Sequence, residues 1–103
     1  MSKIMYYDRD ILCTEIQYTI PSEPIHVINH TDDMILRAFG INTTPTWDDL
    51  EDFLRSRCFP ETRANARQLL RILGVDYYDP WQIVKKTQGK MAEDHQWLEF
   101  VEE

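Results

Sequence analysis

The chain has 103 residues, of which 43% are hydrophobic, and its formal net charge at pH 7 is −7. This length suits one domain with a single core, and the apolar content is too high for a disordered chain; a core together with a deep substrate cleft and a lid is excluded. The negative charge opposes general attraction to nucleic acid or to anionic lipid, so direct binding of either is not expected.

The start of the chain and its cysteines indicate an intracellular protein. No apolar core follows Met1, so we expect no signal peptide, and no window approaches the roughly 18 apolar residues of a membrane span. Cys13 and Cys58 lack a paired spacing and fit buried free thiols in a reducing compartment.

The first part of the chain, residues 3–29, has the composition and alternation of β-strands. Residues 4–7 and 11–18 flank a polar tip and predict a β-hairpin. Two prolines interrupt the chain before residues 25–29 resume the strand pattern, which predicts a three-stranded antiparallel meander. A sheet this small must lay one face on other elements.

Two helices are predicted next. A cap at residues 31–33 starts a short helix over residues 34–39. Thr46, followed three residues later by Asp49, resembles a capping box at the start of a second helix, which Pro60 ends. The apolar face of this second helix consists of Trp47, Leu50, Phe53 and Leu54.

Two further helices follow. The third begins at residues 60–62 and ends at Gly74, which supplies a left-handed stop. Its apolar stripe consists of Ala66, Leu69, Leu70 and Leu73. Asp79 and Pro80 form the start of the fourth helix, and Gly89 ends it.

The end of the chain predicts one more turn over residues 91–94 and a terminal strand over about 96–101 that adds to the edge of the N-terminal sheet. We therefore expect a single domain over residues 1–103, strand-rich over 3–29 and helical over 32–95. The predicted class is α+β, with a small antiparallel sheet packed on three to four short helices.

Five of the eleven basic residues are arginines concentrated near the middle of the chain: Arg55, Arg57, Arg63, Arg67 and Arg71. Arg63, Arg67 and Arg71 are four residues apart and are predicted to share one face of the third helix. They could track phosphates, or they could form a solvated face paired with the chain's own acids. The net charge favours the second interpretation.

The acidic residues form two groups. The first consists of Asp48, Asp49, Glu51 and Asp52, and the second includes Glu93, Asp94 and Glu99. A row of carboxylates can imitate a phosphate backbone and occupy a basic groove. Acids in a first helical turn also serve as caps, and an acidic tail maintains solubility. Both interpretations remain open.

No catalytic set is evident. His26 and His30 would share a strand face, which is a weak metal signal, and unliganded histidines are favoured. The two cysteines lack the setting that activates a thiol, and the three glycines are isolated, so no phosphate-cradling loop is present. We expect no catalytic residues, no metal and no cofactor.

The aromatic residues follow the core pattern, with one exception. The three tryptophans, including Trp97, are predicted to point inward. Tyr77 and Tyr78 lie in a connecting turn and are candidate anchors for a partner, because tyrosine is favoured at binding hot spots.

The last 60 residues or so carry a pattern of short motifs. These are Phe53-Leu54 with Arg57, Pro60 with Arg63 and Asn65, Leu73-Gly74-Val75, Tyr78-Asp79-Pro80, and Gly89 with Glu93-Asp94 and Trp97. The pattern resembles the small module that precedes HipA-like kinase domains in Gram-positive bacteria, and short free-standing proteins of phages and mobile elements. The resemblance implies an accessory protein of the bacterial host cytoplasm; the kinase is absent, so neither phosphoryl transfer nor nucleotide binding is carried over.

Two functional hypotheses follow. The first is a non-enzymatic protein that binds another protein, such as a CRISPR nuclease, and inhibits a nucleic-acid-handling defence complex; the analogy with anti-CRISPR proteins rests on size and charge alone. The alternative is a regulatory or antitoxin-like module of the HipA neighbourhood that binds DNA through its arginine-striped helix. An enzyme ranks last.

Overall fold

The computed structural model describes residues 2–92 and 94–102, which form a four-stranded sheet with helices on one face. The elements are β1 (Ser2–Asp8), β2 (Ile11–Tyr18), β3 (His26–Asn29), α1 (Trp47–Ser56), α2 (Ala66–Leu73), α3 (Pro80–Thr87) and β4 (Gln96–Glu102). The strand order is β3-β2-β1-β4, and every neighbouring pair is antiparallel. The predicted α+β class, the N-terminal meander and the added terminal strand are confirmed.

The core lies between the helices and one face of the sheet, the inner face. Cross-strand pairing places Ile4 opposite Ile16 on one side, and Tyr6 opposite Leu98 on the other. These side chains pack against Leu50 and Leu54 of α1 and Ile83 and Val84 of α3, and all are nearly or fully buried. Burying each aliphatic side chain contributes about 1.5–3 kcal/mol, so this layer is the main source of stability.

Three helix boundaries predicted from the sequence are confirmed. At the start of α1, the Thr46 hydroxyl and the Asp49 carboxylate each accept a hydrogen bond from the other residue's backbone N–H. At the start of α3, the Asp79 carboxylate accepts from the Trp81 N–H at 3.1 Å. Gly74 ends α2 with a left-handed φ of 76°. Local side-chain chemistry therefore sets these three boundaries.

The helix predicted over residues 34–39 does not form, because its backbone groups bond elsewhere. The Ala38 N–H donates to the Thr14 hydroxyl at 3.1 Å instead of to a carbonyl one helical turn back. The Leu36 N–H donates to the Asp33 carbonyl, a three-residue spacing typical of turns. A six-residue segment gains too few hydrogen bonds to repay helix nucleation, so tertiary contacts decide its shape.

The start of α2 was also predicted too early. The Arg63 N–H donates to the Pro60 carbonyl at 3.1 Å and the Ala66 N–H to the Arg63 carbonyl at 3.0 Å, so two turns precede the helix. Residues 60–65 are exposed and bury no apolar side chain that would favour a helix. Arg63 therefore lies outside the helix and does not share a helical face with the arginines of α2.

The connection from α3 to β4 is tightly held. Gln88 and Gly89 both have positive φ, 59° and 65°, and a Cβ on Gly89 would clash with the Leu98 side chain. The Leu98 N–H donates to the Gln88 carbonyl at 2.7 Å, which ties the strand to the helix end. The turn predicted over residues 91–94 is not helical at residues 91, 92 and 94, and Glu93 lies outside the described residues.

Candidate interaction surfaces

A buried arginine, Arg57, joins three parts of the fold. It follows α1 directly and is only 7% exposed. Its guanidinium donates to both Asp94 carboxylate oxygens at 2.8 and 3.0 Å, to the Gly89 carbonyl at 2.7 and 3.0 Å, and to the Gln96 carbonyl at 2.9 Å. We call these four residues the Arg57 clamp. It fixes the end of α1 against the end of α3 and the start of β4.

Asp94 belongs to the Arg57 clamp, so its carboxylate is bonded inside the protein and is not a free surface acid. Hydrogen bonds from the Arg57 guanidinium hold the pKa of Asp94 below its usual range, and its side chain is one third exposed. Beside it, the Tyr6 hydroxyl donates to the Gln96 side-chain oxygen at 2.6 Å, and burial raises the pKa of Tyr6 to about 12. Asp94, one of the acids predicted to contact a partner, is thus part of the internal packing.

The remaining predicted acids do not form one surface. The carboxylate of Asp49 accepts from the Thr46 N–H at 2.9 Å and from the Asn42 amide at 3.1 Å, and these bonds lower the pKa of Asp49. The exposed acids of α1 are Asp48, Glu51 and Asp52. Glu99 is exposed on β4, opposite Met5, on the face of the sheet away from α1.

The four candidate arginines are all exposed, and the structure separates them. Arg67 and Arg71 lie one turn apart on α2, Arg55 lies near the end of α1, and Arg63 lies in the connection between the two helices. Within residues 2–92 and 94–102, none of the four has a carboxylate within 4.0 Å. The expectation that they pair with the chain's own acids is therefore not met among these residues.

The two candidate tyrosine anchors differ in their surroundings. The Tyr78 hydroxyl donates to the Phe59 carbonyl at 2.6 Å, and the two rings meet edge to face at 5.7 Å. Tyr77 is 66% exposed. Only Tyr77 keeps the exposure that a partner contact requires.

The reactive side chains are held in unreactive settings. Cys13 and Cys58 are free and buried, as predicted from the sequence. The Cys58 thiol donates to the Leu54 carbonyl at 3.2 Å, and burial raises its pKa to about 11, which disfavours the nucleophilic thiolate. Among the described residues, no group of three histidine, cysteine, aspartate or glutamate side chains is placed to hold a metal ion.

An open cleft of about 590 Å³ lies between residues 21–27 and residues 43–47. Prolines and threonines line much of it, and the Trp47 indole crosses one wall to donate to the Glu23 carbonyl at 2.6 Å. This hydrogen bond fastens the loop between β2 and β3 to the start of α1. None of the side chains predicted to bind a partner lines the cleft.

The second face of the sheet, the outer face, is apolar at several positions. The helices pack on the inner face, and the apolar side chains of the outer face are half-buried, except Ile28, which is 43% exposed. We define the outer sheet face by the residues whose side chains alternate away from the core: Lys3, Met5, Tyr7, Leu12, Glu15, Gln17, His26, Ile28, Trp97, Glu99 and Val101. Antiparallel sheets with one solvated face ordinarily carry polar residues there.

An aromatic pair occupies one end of the outer sheet face. The Tyr7 and Trp97 rings stack with centroids 4.4 Å apart and planes 10° from parallel. The Trp97 indole donates to the Arg9 carbonyl in the turn between β1 and β2, while the Arg9 N–H donates to the His95 carbonyl at 2.9 Å. Arg9 has a positive φ of 58°, and these two bonds hold it there. The aromatic pair is therefore rigidly supported.

Carboxylates flank the centre of the outer sheet face. Glu15 and Glu99 are the cross-strand partners of Met5 on its two sides. The Glu15 carboxylate accepts from the Gln17 amide, and its other oxygen lies 3.8 Å from the His30 ring nitrogen. Met5, on the central strand, thus lies between Glu99, which is exposed, and Glu15, whose side chain is only 13% exposed.

Sequence reasoning missed the outer sheet face and placed Trp97 in the core, which is wrong. Trp97 pairs with Tyr7, and both point away from the helices. A signal was present in the uninterrupted apolar run of residues 4–7, because a strand with apolar residues on both faces is expected to be covered on both faces.

None of the helices in the described part of the chain is both long and apolar enough to cross a membrane. The resemblance to the module that precedes HipA-like kinases stays a prediction. The chain matches no protein-family model, no curated protein and no solved structure.

Proposed function

We propose that this chain is a non-enzymatic protein-binding protein and that the outer sheet face is its contact surface. One observation carries the proposal: apolar side chains of β1, β2 and β4 project from the face of the sheet opposite the helices. These side chains are half-buried, so each leaves part of its apolar surface in water, which is unfavourable, and apolar patches on a protein surface mark interaction sites.

The aromatic pair supports the same surface. Tyrosine and tryptophan are enriched at the energetic centres of protein interfaces. Tyr7 and Trp97 are already ordered by stacking and by the indole hydrogen bond, so a partner would pay little conformational entropy to meet them. This pre-organisation lowers the entropic cost of binding at the pair.

Charge indicates the class of partner. Glu99 is exposed on the outer sheet face, and the chain carries a net charge of −7. Complementary potentials favour a partner with a basic surface, and proteins that handle nucleic acid have such surfaces. An inhibitor of a nucleic-acid-handling defence complex, of the anti-CRISPR type, is the form of this function that we propose.

The test is a binding measurement with purified CRISPR nucleases and other defence nucleases. Met5→Thr removes an apolar side chain from the outer sheet face and keeps good strand propensity. Ile72→Thr makes a matched change at an exposed site on α2. We expect Met5→Thr to weaken the complex about tenfold, which corresponds to about 1.4 kcal/mol, and Ile72→Thr to leave it unchanged. No complex at micromolar concentration, or equal losses in both variants, would refute the proposal.

A second candidate is DNA binding as a regulatory module. It is favoured by one observation, the exposure of Arg67 and Arg71 one turn apart on α2 with no carboxylate within 4.0 Å in the described residues. Duplex binding that weakens steeply with salt and is lost in Arg67→Glu would support it. Absence of binding at low salt would rule it out.

A further inference from the structure

We infer that a cleft between the ends of α1 and α3 binds a small phosphate monoester that carries an apolar ring. The cleft has a volume of about 340 Å³, and we call it the Lys90 cleft. Two observations carry the inference: the interior of the cleft is apolar, and two cations at its rim have no acidic partner among residues 2–92 and 94–102. This site goes beyond the proposed function, because it uses a different surface and takes a different kind of ligand.

The inner wall of the Lys90 cleft is apolar. Cys58 and Ile83 are buried there, and Phe59 and Met91 are half-buried beside them. The edge-to-face contact with Tyr78 fixes the Phe59 ring. Sites for small molecules have this character, since an apolar lining takes up the body of the ligand and a few polar groups orient it. Their volumes begin at about 300 Å³, so this cleft suits a small ligand.

Two exposed cations, Arg63 and Lys90, line the rim of the cleft. Neither side chain has a carboxylate within 4.0 Å in the described part of the chain. None of the described residues that line the cleft is acidic, although the chain has 18 acidic residues. A phosphate monoester carries a charge of about −1.5 to −2 at pH 7, and both arginine and lysine bind phosphate oxygens. Two cations therefore match the charge of one phosphate monoester better than that of one carboxylate.

The neighbouring charges favour an anion in the same place. A second cleft, of about 310 Å³, shares Lys90 and Met91 with the Lys90 cleft, and Arg9 lines it as well. The Asp94 carboxylate also lines the second cleft, but it already accepts two hydrogen bonds from the Arg57 guanidinium. The described residues that line the two clefts therefore have a positive net charge, whereas the net charge of the whole chain is −7.

Two helix ends lie at the Lys90 cleft and oppose an anion there. Arg57, which follows α1, and Thr87, the last residue of α3, both line the cleft. Each helix C-terminus carries about half of a negative elementary charge, so the two ends together amount to about one. Part of this charge is already satisfied, because the Thr87 carbonyl accepts from the Lys90 backbone N–H at 3.3 Å. The two full charges of the Arg63 and Lys90 side chains therefore outweigh the helix ends.

The probe is phenyl phosphate, titrated into the isotope-labelled protein and followed by amide chemical shifts. Inorganic phosphate tests the charge without the ring, and benzyl alcohol tests the ring without the charge. We expect phenyl phosphate to shift the amides of residues 57–63 and 87–92, inorganic phosphate to bind at least about tenfold more weakly, and benzyl alcohol to cause no shifts at the same concentration. Adenosine monophosphate is the fourth titrant: tighter binding than that of phenyl phosphate assigns the cleft to nucleotides, and weaker binding assigns it to simple aryl phosphates.

Two matched pairs of variants separate this site from general charge attraction. Arg63→Gln and Arg67→Gln change exposed arginines four residues apart, of which only Arg63 lines the Lys90 cleft. Lys90→Gln and Lys86→Gln make the corresponding comparison for lysine. We expect the first variant of each pair to weaken phenyl phosphate binding about tenfold and the second to have little effect. Equal losses within each pair, shifts centred on Arg67 and Arg71, or equal affinity for phenyl phosphate and inorganic phosphate would overturn the inference.

Discussion

Replacing Arg57 with alanine tests whether the Arg57 clamp holds the fold together. The substitution removes a guanidinium that is 7% exposed and leaves the Gly89 and Gln96 carbonyls and the Asp94 carboxylate without this donor. Removing one partner of a buried ion pair costs about 3–5 kcal/mol. Because the Asp94 side chain is one third exposed and can be partly rehydrated, we expect about 3 kcal/mol. A domain of this size has only about 5–15 kcal/mol in total.

The assay is urea unfolding followed by tryptophan fluorescence. Arg55→Ala is the control, since Arg55 is exposed two residues away, and it should change the free energy of unfolding by less than about 0.5 kcal/mol. Asp94→Asn keeps the shape of the clamp and should cost about 1–2 kcal/mol, which remains measurable if Arg57→Ala fails to fold. A free energy of unfolding for Arg57→Ala within about 1 kcal/mol of the Arg55→Ala value would refute the reasoning.

The Arg57–Asp94 ion pair predicts that the free energy of unfolding falls at acidic pH. The folded-state pKa of Asp94 is lowered by its hydrogen bonds from Arg57, so the carboxylate contributes stability above its unfolded pKa of about 3.9. That contribution is lost as the pH falls below about 4 and through the folded pKa. In Asp94→Asn, the free energy of unfolding should therefore fall less than in the wild type as the pH drops below about 4. An equal fall in both proteins would contradict the role given to Asp94.

Three further predictions concern single sites. Gly89→Ala should cost about 1–3 kcal/mol more than Gly74→Ala, because the added methyl group overpacks the site. Both glycines have positive φ, but only a Cβ at Gly89 meets another side chain, so equal losses in urea unfolding would contradict the packing. Tyr6→Phe should cost about 1 kcal/mol at neutral pH through the lost hydrogen bond. Because the folded pKa of Tyr6 is raised to about 12, the wild type should lose stability between pH 10 and 12, and Tyr6→Phe should lose less there. Asp79→Ala should lower the free energy of unfolding by about 1 kcal/mol through the lost cap, and no change would show that α3 does not depend on it.

Local chemistry made much of the fold predictable from the sequence. Three helix boundaries depend on residues only a few positions apart and can be predicted without tertiary information: the capping box at Thr46, the Asp79 cap and the Gly74 stop. The hairpin and the terminal strand were predictable for the same reason, since alternation is a local property. The sequence predicted that the terminal strand adds to an edge of the sheet, but a three-stranded meander has two free edges, and the choice of β1 over β3 depends on tertiary packing.

Features that depend on distant residues were not predictable. Arg57 and Asp94 are 37 positions apart, and the sequence showed each only as one charge among several. The turns at residues 34–39 are fixed by the Thr14 hydroxyl, 24 positions from Ala38. The outer sheet face required knowing that all three helices pack on the same side of the sheet. Each of these outcomes is decided by tertiary contacts that override local propensity.

The position of β1 in the sheet has a consequence for synthesis. β1 is the first strand to be made, and one of its neighbours, β4, begins 88 positions after its last residue. At roughly 5–20 residues per second, the ribosome needs on the order of ten seconds to deliver that neighbour. During this interval the hairpin of β1 and β2 can form, but one edge of β1 stays open and Ile4 and Tyr6 lack their partners on β4. The nascent chain is therefore most prone to aggregation while its helices are being made.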